Sequence, residues 1–350
     1  MKTRVCRLHD KHDIRIETDI VASPGSGEVL VAIGAGGICG SDLHYYHDGG
    51  FGPIQIREPM ILGHEVAGVV EAIGEGVSTV NIGAQVALNP SRACGQCSFC
   101  AEGLQQHCHE MLFFGSAMRF PHVQGAFRER IIVQASQCEI VGPHVSLAEA
   151  ACAEPLAVCV HARNQAIRTM GELKGKRVLI TGSGPIGALS VAVARHAGAK
   201  EIVVTDLQDA TLRIAKIMGA DRTINVMNDS GAMDEYSDGK GHFDLALECS
   251  AAPMAIKTAL SSVRPQGTIV QIGIGGDTQI PLNLLVGKEI NLLGTHRFHS
   301  EYAEAVGLID SGAINVKPII TGSYPLEEAV AAFEAAGDRS KSVKVQLRFS

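Results

Sequence analysis

The sequence has no apolar run approaching the ~18 residues of a membrane-spanning helix. Its opening stretch, MKTRVCRLHDKHDIRIE, has no apolar core of the kind a secretory signal carries, so neither export nor membrane insertion is expected. There is no short-period repeat, no low-complexity tract and no block of like charge. Basic residues are in the minority, 30 Lys plus Arg against 37 Asp plus Glu for a net charge of −7, which argues against a broad nucleic-acid-binding face. Ten cysteines in 350 residues fall far below the ~8–10% of a disulfide scaffold. In the cytoplasmic, reducing setting expected here, they should be thiols, buried apolar side chains or metal ligands. What is present, 46% hydrophobic and 19% charged residues, suffices for a sizeable core, and the length suits two domains.

The first 150 residues read as short strands and loops. EVLVAIGAGG, HEVAGVVEAIG and AQVALNP carry β-branched residues between Gly and Pro breaks. LAEAACAEPLAVCVHARNQAI then reads as one apolar-faced helix. After it the strand-like runs RVLIT, EIVVTD, RTINV, FDLALEC and GTIVQIG appear, with helical PIGALSVAVARHAG and ATLRIAKIMGA between some of them. This alternation predicts an α/β unit with a parallel sheet covered on both faces. From about residue 290 come a strand-like INLLGT, helical EYAEAVGLID and PLEEAVAAFEAA, and a closing strand-like VKVQLRF.

Gly182, Gly184 and Gly187 form G-x-G-x-x-G in VLITGSGPIGAL, directly after a predicted strand and opening a predicted helix. The first glycine suits a tight turn, the second lets backbone approach a pyrophosphate, and the third permits close helix–sheet packing. Pro185 suits the first helical turn, where no N–H is needed, and Ile186 completes the motif. Asp206, nineteen residues beyond Gly187, ends the next predicted strand. A carboxylate there can accept hydrogen bonds from an adenosine ribose and would repel a 2′-phosphate, which favours NAD over NADP, while nearby Arg213 softens that preference. A glycine-rich turn without a ligand would not require strand, turn, helix and acid to coincide.

Cys94, Cys97, Cys100 and Cys108 follow the spacing C-x2-C-x2-C-x7-C in a loop-like region. Four thiolates can enclose a tetrahedral zinc, and a site with no open position is structural. Ferredoxin clusters share the x2 spacing, but the bacterial run continues with x3 and Cys-Pro, which this chain lacks. His107 and His109 flank the last cysteine as possible substitutes, more simply read as exposed neighbours. A second set of zinc-competent residues is dispersed: Cys39 in GGICGSDLHYY, His64 and Glu65 in ILGHEVAG, and Glu154 in CAEPLAV. Periodicity cannot show that these segments meet.

The motifs GGICGSDLHYY, GHEVAGVVEAIGEGV, the four-cysteine lobe, AEPLAV and GSGPIG, in this order along the whole chain, resemble the zinc-dependent medium-chain dehydrogenases, and most of all their polyol branch. The stretch FFGSAMRFPHVQGAF is similar to members acting on sugar acids. The resemblance implies a GroES-like β-barrel catalytic domain, residues 1–152 and 290–350, split around a Rossmann doubly wound domain, residues 153–289, with the site in the cleft between them. It implies a homodimer or homotetramer with NAD, NADP being possible, and with one catalytic and one structural zinc per subunit. Cys39, His64 and Glu65 match catalytic ligands, and Glu154 stands where other branches place a ligating cysteine, so either carboxylate could complete the set. Asp42 matches the carboxylate that orients the zinc histidine. Ser41 and His44 match a proton relay, and Tyr45 and Arg297 match pocket residues. Phe298 stands where sorbitol-specific members carry Tyr. The implied reaction is hydride transfer from a secondary hydroxyl of a sugar acid, with the metal as Lewis acid. For the substrate carboxylate Arg297, Arg119 and His122 are candidates. The other readings are a sorbitol or xylitol dehydrogenase, a threonine dehydrogenase of the same superfamily, and a non-catalytic, crystallin-like NAD-binding protein. The last of these would be expected to lack a ligand or relay residue, and none is missing.

Overall fold

The computed structural model describes residues 1–229 and 231–349. Two sheets organise the chain. The first is built on the strand Glu28–Gly37, which pairs antiparallel with Glu65–Ile73, with Arg130–Gln134 and with the closing strand Lys344–Arg348. Gln85–Leu88 and Cys138–Val141 extend it on one side and Ile320–Pro325 on the other. The core of this barrel-like lobe includes Val31, Ile33, Val66, Leu88, Phe127, Phe333 and Leu347, all buried. Phe127 meets Phe333 edge-on with centroids 6.3 Å apart, and burial of one such ring stabilises by about 1.5–3 kcal/mol.

The second sheet has six parallel strands in the order Arg222–Asn225, Glu201–Asp206, Arg177–Thr181, Phe243–Glu248, Val263–Gln271, Asn291–Gly294. Numbered along the chain this is 3-2-1-4-5-6, the dinucleotide-binding order. Val178 and Ile180 face one core cluster while Leu179 faces another. Both faces are thus covered, which is why the strands read as continuous apolar runs. The expected boundary at 289/290 falls just before Asn291–Gly294, whose pairing carries the parallel sheet on to Gly294.

The expected single helix near 150 is two. Ser146 caps a one-turn helix, Leu147–Ala150, and a long helix, Ala153–Met170, follows. Pro155 explains the break, since it has no N–H to offer the carbonyl of Ala151 and is tolerated only in a first turn. The interruption places Glu154 in the first turn of the long helix, a favourable position for a carboxylate. No helix among the described residues is long and apolar enough to cross a membrane.

Candidate functional site

Of the dispersed zinc-competent residues, Cys39, His64 and Glu65 converge, while Glu154 stands outside that cluster and is close enough for their charges to act on it. Cys39 is the N-cap of the helix Gly40–Asp48, and His64 and Glu65 lead into the strand Glu65–Ile73. The ligand atoms of Cys39, His64 and Glu65 lie within 4.8 Å of one another. Buried His64 leaves Nδ1 without a hydrogen-bond partner. Asp42 lies 3.8 Å from that nitrogen, an electrostatic neighbour beyond hydrogen-bond reach. Its carboxylate instead accepts the Cys39 and Gly63 N–H groups at 3.0 and 3.2 Å and so fixes the turns that carry both ligands.

Buried acid dominates the electrostatics. Burial pushes the Glu154 carboxyl up to about 8, with Glu65 adding to the rise and His64 opposing it. Burial, then the charge of Glu65, pushes the Cys39 thiol up to about 11, and burial likewise raises Asp42. Against these groups stand Lys344, bound through Nζ to both Glu65 oxygens at 2.7 Å, and the guanidinium of Arg297. A soft sulfur, an imidazole with an unpartnered nitrogen and a surplus of buried carboxylate fit a zinc ion, whose charge would return these groups to their ionised forms. Gly37 makes room for the arrangement, because a Cβ there would lie 2.1 Å from Glu65 Oε2.

The helix Gly40–Asp48 sets Ser41 and His44 three residues apart on one face. His44 is exposed, with Nδ1 3.1 Å from Asp48. Tyr45 is buried and its hydroxyl accepts the Ala117 N–H at 3.1 Å. Phe113 links the metal-competent cluster to Arg297. Its ring is 5.3 Å from that of His64, and the Arg297 guanidinium lies 4.0 Å above it. Arg297 also donates to Met118 Sδ at 3.4 Å; among the described residues no carboxylate lies within ion-pair distance of it, and Glu154 acts on it only as a more distant charge.

Two expected carboxylate contacts are engaged elsewhere. Arg119 pairs with Glu110 at the surface. His122 is buried and structural: Nε2 accepts the Arg57 N–H at 2.9 Å, which leaves Nδ1 to donate to the Arg119 carbonyl at 2.7 Å. Phe298 is part of the core, its ring 5.5 Å from that of Tyr302.

The glycine motif lies at the switch point of the parallel sheet. Gly182 has φ +83, and a Cβ on Gly187 would lie 1.9 Å from the Gly182 carbonyl oxygen. Gly184 caps the helix Pro185–His196 and faces open space, a cradle that fits a pyrophosphate. The Ile186 carbonyl accepts from the Cys159 thiol at 3.3 Å, which anchors the turn. Asp206 accepts the Ser183, Leu207 and Gln208 N–H groups at 2.5, 2.7 and 2.9 Å. Arg213 is exposed on the helix Asp209–Ile217.

Cys94, Cys97, Cys100 and Cys108 form a second cluster. Sulfur separations of 3.6 Å for Cys97–Cys100 and 3.9 Å for Cys97–Cys108 exclude disulfides. They match the ~3.8 Å edge of a tetrahedron with Zn–S of about 2.3 Å. Backbone N–H groups of Cys94 and Glu110 point at Cys108 Sγ, while those of Cys100 and then His109 pull the Cys97 thiol down to about 6. His107 and His109 stand beside Phe99 and are absent from the sulfur cluster.

Sequence reasoning missed Lys344 and Phe113. VKVQLRF alternates apolar and polar residues, which reads Lys344 as one of a polar row with Gln346 and Arg348, so nothing local marks it as buried. Nothing local distinguishes Phe113 from its neighbour Phe114.

Residues 25–143 match the family described as the alcohol dehydrogenase GroES-like domain, and residues 185–311 match that described as zinc-binding dehydrogenase. The chain is 43% identical over 350 residues to the L-idonate 5-dehydrogenase (NAD(P)(+)) of Escherichia coli, covering 100% of this chain and 99% of the relative. It is 36% identical to the sorbitol dehydrogenase of Bacillus subtilis over 334 residues, 94% of this chain and 92% of the relative. The crystal structure of the Escherichia coli L-idonate 5-dehydrogenase superposes with a TM-score of 0.94 at 42% identity, covering 100% of this chain and 99% of that one.

Proposed function

The chain belongs to the zinc-dependent alcohol dehydrogenase family, and from that premise we propose that it oxidises L-idonate to 5-keto-D-gluconate with NAD(P) as hydride acceptor. The observation that carries the choice of a sugar acid is Arg297. Its half-buried guanidinium lies over Phe113, whose ring neighbours His64, and among the described residues no carboxylate lies within ion-pair distance of it, Glu154 acting only as a more distant charge. A cation held this way suits a substrate carboxylate, bidentate and charge-assisted. Similarity to the idonate enzyme points to a sugar acid, and similarity to the sorbitol enzyme supports the polyol alternative.

In this reading Cys39, His64 and Glu65 hold the catalytic zinc, with Glu154 facing it as the alternative carboxylate. Bound there, zinc supplies Lewis acidity to the substrate hydroxyl. Ser41 receives the hydroxyl proton and His44 passes it to solvent, since imidazole can exchange protons near neutrality. Tyr45 and Arg297 orient the substrate, and Phe113 helps exclude water. Gly182, Gly184, Pro185, Ile186 and Gly187 seat the coenzyme, with Asp206 at the ribose and Arg213 within reach of a 2′-phosphate. The four-cysteine cluster holds a structural zinc.

The same proposal assigns residues 1–152 and the C-terminal segment to the catalytic lobe, and residues from 153 through Gly294 to the coenzyme lobe. It takes the protein to be cytoplasmic, where the thiols of both clusters stay reduced. It also takes the protein to be a homodimer or homotetramer. Supporting assembly, Asn291–Gly294 is the outer strand of the parallel sheet, with exposed Leu292, Val286 and Leu282 nearby, and an open strand edge is a template for pairing.

The test is coenzyme reduction measured across idonate, gluconate, sorbitol, xylitol and threonine, each with NAD and NADP. Idonate should give a kcat/KM at least about tenfold above sorbitol. A preference for sorbitol or xylitol would establish the polyol reading instead.

A further inference from the structure

Arg297 has φ +50, a left-handed conformation that a bulky side chain adopts only where its surroundings enforce it. Part of the enforcement lies outside the pocket. Two residues on, the His299 N–H donates to Glu301 Oε2 at 3.0 Å. The other oxygen of Glu301 accepts from His161 Nδ1 at 3.0 Å and from Asn164 Nδ2 at 3.1 Å. Gln165 Nε2, 3.1 Å from His161 Nε2, donates to that nitrogen and so fixes the imidazole proton on Nδ1. His161 and Glu301 are only 2% and 5% exposed, so the pair at the centre of this charge-assisted network is shielded from solvent, while Asn164 and Gln165 at its edge are half-buried. Its donors sit on the helix Ala153–Met170, which carries Glu154 in its first turn and His161 two turns further on.

We propose that Glu301 is a positioning residue for substrate recognition: clamped by His161 and Asn164, it fixes the segment 297–299 so that the Arg297 guanidinium stays over Phe113 and faces the substrate carboxylate. The inference rests on the reading of Arg297 as the substrate contact. It adds that one rigid helix sets both Glu154 and, through Glu301, Arg297, so that the metal-facing acid and the substrate-facing cation keep a fixed relation.

The experiment compares E301Q, E301A, R297A and the double variant E301A/R297A by steady-state kinetics on L-idonate and sorbitol, together with a crystal structure of E301Q. For idonate, E301A should raise KM about tenfold and change kcat less than about threefold, E301Q should do so to a smaller extent, and KM for sorbitol should move less. The double variant should match R297A, because Glu301 acts through Arg297. In the E301Q crystal, Arg297 should leave the left-handed region or move off Phe113. Effects that multiply in the double variant, or an Arg297 unmoved in E301Q with KM within twofold of wild type, would overturn the positioning role. If R297A itself leaves the idonate KM unchanged, the reading of Arg297 is what fails and the positioning role falls with it. Should E301A not fold, E301Q and its crystal structure decide the matter.

Discussion

Lys344 places Nζ 2.7 Å from both carboxylate oxygens of Glu65, and neither side chain exposes more than 2% of its surface. The pair joins the closing strand to the metal-competent cluster and leaves Glu65 shared between an ammonium group and a cation site. Removing the lysine leaves a buried carboxylate that must take up a proton or a metal to be neutralised. K344M should therefore destabilise the metal-free protein by about 3–5 kcal/mol, with zinc restoring more of the loss than it adds to wild type. Thermal unfolding with and without a chelator measures this, and equal losses in both states would contradict it.

Gly37 gives a second handle on the same carboxylate. In G37A the new Cβ would press on Glu65 Oε2 from 2.1 Å, and such overpacking costs about 1–3 kcal/mol. Zinc content should fall by about one ion per chain while the four-cysteine cluster stays loaded. Unchanged metal content would remove Glu65 from the ligand set.

Cys39 separates chemistry from scaffolding. C39S should lose one zinc and more than about 100-fold in kcat yet keep its thermal midpoint near that of wild type, whereas C97S should lose the other zinc and unfold earlier. Metal analysis, turnover and thermal melts distinguish the two sites.

Asp206 tests the coenzyme preference. It accepts three backbone N–H groups, and in the proposed coenzyme site its carboxylate would stand at the ribose and disfavour a 2′-phosphate. D206A should raise KM for NAD and lower it for NADP, shifting the kcat/KM ratio by about tenfold or more toward NADP. D206A/R213A should lose the NADP gain.

Glu301 gives a pH signature with a definite sign. Desolvation raises its pKa, but His161, the His299 N–H and Asn164 outweigh it and hold the folded-state carboxyl well below its usual range. A depressed carboxylate contributes stability that is fully present above its unfolded pKa of ~4.3 and is lost as pH falls toward the folded value. Between pH 6 and pH 3 wild type should lose more stability than E301Q. Parallel acid profiles would show that the network carries no net linkage.

What the sequence reveals follows from how far apart the interacting residues lie. The Gly182–Gly187 turn and the Cys94–Cys108 lobe are local, so spacing is enough to read them. The neighbourhood of Glu65 is not: Lys344 reaches it across 279 residues, and only the antiparallel register of the closing strand against Glu28–Gly37 brings them together. Arg119 and His122 show the opposite difficulty. Their residue types suit a carboxylate pocket, but Glu110 and the Arg57 N–H engage them first, and no motif records that competition. Pro155 marks the helix boundary in the sequence, but the apolar pattern runs through it and reads as a single helix.

The closing strand also has a consequence in time. During synthesis the four-cysteine lobe emerges as a contiguous loop and can take its metal while most of the chain is still unmade. The Cys39 site cannot reach its final charge balance then, because Lys344 follows every strand of the parallel sheet in the chain and leaves the ribosome only after all of them. One zinc can thus enter early in synthesis, whereas the other waits until Lys344 has emerged. A chain stopped at residue 340 should hold the first ion firmly and the second poorly.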